Sequence, residues 1–90
     1  MAYTNFTTNT STTGVCPTHS LKVVAAGTWG SGTLTLNLYN DTLAGYVVIE
    51  AWTADVAKSI AMGSGAKYQL VFSGGTGQDV DVVHEGIYDG

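Results

Sequence analysis

The sequence has no arginine, three lysines (Lys22, Lys58, Lys67), one cysteine (Cys16) and one proline (Pro17). Each scarcity excludes something. At a formal charge of −4 and without arginine, the chain has no clustered basic surface to displace phosphate counterions or read base edges, so nucleic acid is not an expected partner. A single thiol cannot close an internal disulfide. Adding His19 and His84 still leaves too few soft ligands for a closed four-ligand zinc site, and neither a metal nor a cofactor is expected. No apolar run approaches the roughly 18 residues of a membrane span. The first residues have neither the basic start nor the apolar stretch of a secretory signal. The expectation is a protein with no membrane partner that does not travel by ordinary secretion.

Ninety residues make one domain with a modest core. Scaffolds of this size lean on disulfides, a metal or oligomerisation, and only the last is left. Charged residues are 11% of the chain, so Thr, Ser, Asn and Gly must supply the polar surface, which suits an extracellular or particle-bound protein.

Residues 1–18 (MAYTNFTTNTSTTGVCPT) carry no charge and are rich in Thr, Asn and Ser. Such a composition fits a disordered tail, but Tyr3 and Phe6 are aromatic anchors that linkers mostly lack. The expectation is an extended N-terminal arm, with Tyr3, Phe6 and Val15 lying across a neighbouring subunit. Residues 19–90 then form the folded domain.

From residue 20 the pattern has period two, the mark of half-buried strands. Leu21, Val23 and Ala25 alternate with Lys22, Val24 and Ala26, and Leu34, Leu36 and Leu38 with Thr33, Thr35, Asn37 and Tyr39. Tyr46, Val48, Glu50 and Trp52 fall on one face, with Val47, Ile49 and Ala51 on the other. Tyr68, Leu70 and Phe72 make a further strand, and Val80 and Val82 another. Glycine-rich or Asn-Asp turns at 27–32, 40–45, 63–65 and 74–77 separate these runs. Tyr39 and Tyr46 should bracket the second of them. Residues 53–62 (TADVAKSIAM) fit a short helix or a strand, and the surrounding strands favour a strand. The fold expected is all-β, a single small antiparallel sandwich of six to eight strands with the N-terminal arm.

Few motifs carry chemistry. Cys16-Pro17-Thr18-His19 brings a thiol near an imidazole, but no third group orients the base as nucleophilic catalysis requires. Gly74-Gly75-Thr76-Gly77-Gln78-Asp79-Val80-Asp81-Val82 approximates a calcium-binding nonapeptide, yet Asp81 stands where a core side chain belongs and there is one copy. A hairpin entering an edge strand is the plainer reading, with a loose calcium site at Asp79 and Asp81 left open. Phosphate-cradling loops are absent. Asn5-Phe6-Thr7, Asn9-Thr10-Ser11 and Asn40-Asp41-Thr42 match the glycosylation sequon, as a Thr/Asn-rich composition produces by chance. An enzyme is not expected. Trp29 and Trp52 are handles for packing, or for stacking on sugar rings.

Read in order, Gly27-Thr28-Trp29-Gly30, Thr33-Leu34-Thr35-Leu36, Trp52-Thr53-Ala54-Asp55, Gly65-Ala66-Lys67-Tyr68-Gln69-Leu70 and Ser73-Gly74-Gly75-Thr76-Gly77 before Val80-Asp81-Val82 follow a recognisable plan. From Leu21 to Val83 the chain is similar to small β-sandwich proteins encoded beside capsid genes in tailed bacteriophages. That resemblance implies a virion protein, a capsid decoration (cement) subunit on the capsid surface, assembled in the host cytoplasm. Its implied partners are the major capsid protein and copies of itself, as a homotrimer. Tyr3, Phe6, Val15, Trp29 and Trp52 are the expected contact residues. The alternative is a carbohydrate-binding or host-adhesion module, such as a head fibre or tail component, using the two tryptophans.

Overall fold

The computed structural model describes residues 2–16 and 18–87. It is all-β, with eight strands: β1 (Ala2–Phe6), β2 (Ser11–Cys16), β3 (Ser20–Thr28), β4 (Thr33–Asn40), β5 (Gly45–Trp52), β6 (Val56–Ala61), β7 (Ala66–Ser73) and β8 (Asp79–Ile87). They form two antiparallel four-stranded sheets, in the orders β1-β8-β3-β6 and β2-β7-β4-β5. The segment open to two readings is strand β6 behind a short loop, paired with β3 from Ser20↔Ala61 to Ala25↔Val56.

The alternation in the sequence becomes the core. Leu21, Val23 and Ala25 of β3, Leu34 and Leu36 of β4, Tyr68, Leu70 and Phe72 of β7, and Val80 and Val82 of β8 are buried between the sheets. Their sequence neighbours face outward, as the two-residue period of a strand requires.

The structure differs from the expected arm. Residues 2–16 are two strands of the sandwich, β1 paired with β8 along one sheet and β2 with β7 along the other. Phe6 is 0% exposed and stacks on Phe72 at 5.8 Å between ring centroids. Cys16 is equally enclosed, with its thiol donating to the carbonyls of Thr18 and Ser20. The backbone N–H of Phe72 is held by the carbonyl of Thr10, which ties down the crossing from one sheet to the other. The physical reason is edge satisfaction. Without β1 and β2, strands β8 and β7 would each present an open edge, and the ring of Phe72 would lack a cover.

A second difference lies in β5. Its pairing with β4 shifts between Leu36 and Asn37, so Leu36 pairs with Glu50 but Asn37 with Val48. Ile49 is the extra residue of a β-bulge, and it flips the faces. Trp52 and Glu50 lie opposite the inward Leu34 and Leu36, whereas Val48 and Tyr46 lie opposite the outward Asn37 and Tyr39. The single face expected for Tyr46, Val48, Glu50 and Trp52 is therefore split in two.

Turns follow their residues. Leu43 N–H donates to the Asn40 side chain at 2.9 Å, closing the β4–β5 hairpin. Gly30 has φ +57° and accepts from Thr76 N–H at 3.0 Å, so the glycine loop before β4 is clasped to the one before β8. A side chain at Gly30 would collide with the Thr76 backbone.

Candidate interaction surface

The two outer faces differ in how their polar groups are used. On the β1-β8-β3-β6 sheet, Asp79 and Asp81 project from β8. The Asn5 side-chain amide of β1 donates to both, at 2.7 and 2.8 Å. Tyr3 OH also donates to Asp81. The Tyr3 hydroxyl and the Asn5 amide hold the Asp81 carboxyl below its usual range, and the same bond raises the Tyr3 phenol. Lys22 pairs with Glu85 at 2.6 Å on this face and lowers the Glu85 carboxyl. Asp79 and Asp81, where a loose calcium site was left open, are engaged by an amide and a phenol. Among the described residues no group of three or more His, Cys, Asp or Glu side chains gathers as a metal site would require.

Beneath this face lies a polar chain. Buried His84 meets Tyr68 OH at 2.7 Å through Nδ1 and Thr4 Oγ1 at 3.0 Å through Nε2. It links β8 to β7 in the other sheet and to β1 at its own edge. Burial lowers the His84 pKa and raises that of Tyr68. Gly14 of β2 leaves room for the Tyr68 ring, which a side chain there would strike.

The outer face of the β2-β7-β4-β5 sheet is different. Among its strands only Lys67 and Glu50 carry charge, and Glu50 turns inward to pair with Lys58 across the gap between the two sheets. Lys67 sits 5.4 Å from the Tyr39 ring, which is 5.4 Å from Tyr46 directly across the hairpin. The tyrosines do bracket the turn. Tyr39, Asp41, Gly65, Ala66 and Lys67 line a shallow depression of about 100 Å³. Along the free edge of β5, Tyr46, Val47, Val48 and Ile49 are exposed, Val48 by 63%, and Leu43 is exposed in the adjoining turn.

The structure does not bring the five expected contact residues together. Phe6 is core, and Tyr3 lies on the acidic face. Val15 is exposed on β2, at the far edge of the second sheet from β5. Trp29 is half-buried, its ring 5.7 Å from Phe72 and its Nε1–H donating to Asp55 at 2.8 Å. That bond, with a second from Gly27 N–H, lowers the Asp55 carboxyl. Trp52 packs against the core from the end of β5. Both tryptophans are half-buried and packed against the core. Cys16 is enclosed while His19 is exposed, and Pro17 between them lies outside the described residues.

The residues that the sequence reading missed are Leu43 and Val47 to Ile49. Their signal was Tyr46-Val47-Val48-Ile49, four apolar residues in a row on a strand with a free edge. A strand with one face in the core and one in water interrupts such a run with polar residues. Comparison with family models, with curated proteins and with solved structures finds no match.

Proposed function

We propose that the protein is a structural subunit that decorates a virion shell, docking on the capsid surface with the outer face of its β2-β7-β4-β5 sheet. The observation that carries this reading is the apolar edge and charge-poor face around β5, opposite a face whose carboxylates are tied to side chains of the neighbouring strands. Exposed apolar patches of several hundred Å² on small soluble domains mark protein contacts. The shell as partner comes from the sequence resemblance, which the low charge and polar Thr/Asn surface fit.

The action is mechanical. At about 25 cal/mol per Å², a few hundred Å² of apolar burial per copy gives several kcal/mol before the cost of association. Repetition over a symmetric shell multiplies that gain where internal pressure acts. The acidic face then points to solvent and keeps decorated particles apart.

A second reading has one observation behind it. The Tyr39–Tyr46 pair, with Lys67 and Asp41 at a shallow depression, offers an aromatic surface flanked by polar groups, as sugar-binding modules do. Co-sedimentation with purified undecorated shells of the particle that encodes the protein decides between them. Saturation at a fixed copy number, lost in Val48→Asp, is expected. Absence from shells, together with a glycan-array signal lost in Tyr39→Ala, would replace decoration with adhesion.

A further inference from the structure

The sandwich has four strand edges, and they are not finished alike. The β6 edge carries Lys58 turned inward toward Glu50, a device that blunts edge pairing. The β1 edge stands beside Asp79 and Asp81, so two such edges would bring like charges together. The β2 edge turns Ser11, Thr13 and Val15 outward, a mostly polar row with one apolar side chain. At β5 the nearby charges balance, Glu50 against Lys58, with Asp41 and Lys67 at the same depression. Val47 and Val48 stand exposed on its two faces.

We infer that β5 is the contact between two copies of this chain, paired antiparallel edge to edge about a twofold axis at Val47. The bulge chooses the register. Up to Val48, Tyr46 and Val48 face outward and Val47 inward, and beyond Ile49 the faces are exchanged. Paired strands match outward with outward residues, so a register that crosses the bulge would oppose residues of unlike face. Pairing about Val47 sets Val47 against Val47 of the second copy and Tyr46 against Val48, and puts no charge opposite a charge. Aromatic and β-branched residues directly opposed across strands stabilise each other.

The product is one continuous eight-stranded sheet, within the range twisted sheets sustain. Its twofold axis runs perpendicular to the sheet, so both charge-poor faces stay on one side and both acidic faces on the other. This geometry is isologous, in place of the trimer expected from the sequence. It leaves the broad face free for whatever it docks on. Four or five residues of pairing bury less than the roughly 800 Å² per partner of a standard stable interface, so the dimer forms at high protein concentration.

Sedimentation equilibrium of the purified chain, with no shell present, reads the contact separately from shell binding. A monomer–dimer equilibrium is expected whose dissociation constant changes less than twofold between 50 and 500 mM salt (on the order of the weak response of a contact without net charge). In Val48→Asp it should weaken at least tenfold with the thermal midpoint retained. Oxidation by air should join Val47→Cys into a disulfide dimer and leave Ala57→Cys, on the β6 edge, monomeric. A monomer at all concentrations, a trimer, or crosslinking at Ala57→Cys instead of Val47→Cys would overturn the contact.

Discussion

The two outer faces of the sandwich are built from strands of similar length but are completed in opposite ways. On the β1-β8-β3-β6 sheet the polar side chains answer one another: Asn5 reaches both Asp79 and Asp81, Tyr3 reaches Asp81, and Lys22 reaches Glu85. On the β2-β7-β4-β5 sheet, Asn37 donates to Gln69 at 3.1 Å and Lys67 lies over Tyr39, but β5 presents branched apolar side chains that nothing among the described residues covers. A face whose hydrogen-bonding groups are satisfied internally gains little from a partner. A face with exposed apolar surface gains from any partner that removes it from water. On the proposed reading, the outer face of the first sheet is closed by its own side chains and that of the second is left for contact.

The sharpest test of that division sets Phe6 against Val48. Truncating Phe6 empties the space beside Phe72, and Phe6→Ala should cost about 3–5 kcal/mol in denaturant unfolding. Val48→Ala should stay within about 0.5 kcal/mol, as surface substitutions do. Similar costs at both positions would erase the distinction between a strand that holds the core and one that waits for a partner.

Acid should weaken the first sheet next. Burial depresses the His84 pKa, so the unfolded chain takes up the proton more readily than the folded one. The stability this group contributes is full above the unfolded value of roughly 6.5 and declines as pH falls from there toward the lower folded value. Thermal midpoints should therefore drop below about pH 6.5, well before carboxylates titrate near pH 4, and His84→Gln should flatten that part of the profile. Hydrogen exchange should show the loss first at β1, because Thr4 is bonded to the ring.

The smallest effect is local. Tyr3→Phe removes the first-ranking support of the Asp81 carboxylate and should move its titration, followed by NMR, up toward the ordinary aspartate range. An unmoved Asp81 would leave Asn5 as its whole support.

The core was legible in the sequence because Leu, Val and Phe alternate with polar residues along β3, β4, β7 and β8, and burial enforces that alternation. The first two strands were not. Their inward positions hold Thr4, Thr12 and Gly14 with only Phe6 and Cys16, so the period-two signal is written in small and hydroxyl side chains. What places them is a long-range need, the open edges of β7 and β8 paired 50 to 82 residues away. The bulge at Ile49 left no mark, since apolar residues occupy both faces of the strand leading into it. Trp29 and Trp52 were legible as packing aromatics, and both pack against the core; the partners of Trp29, Asp55 and Phe72, were not, because they become its neighbours only on folding.

Cryo-electron microscopy of shells saturated with the protein tests the central claim most directly, by showing which face meets the capsid. The account predicts Tyr46, Val48 and Lys67 toward the shell and Asp79 and Asp81 toward solvent. Density with the aspartates against the shell and Val48 in solvent would contradict it.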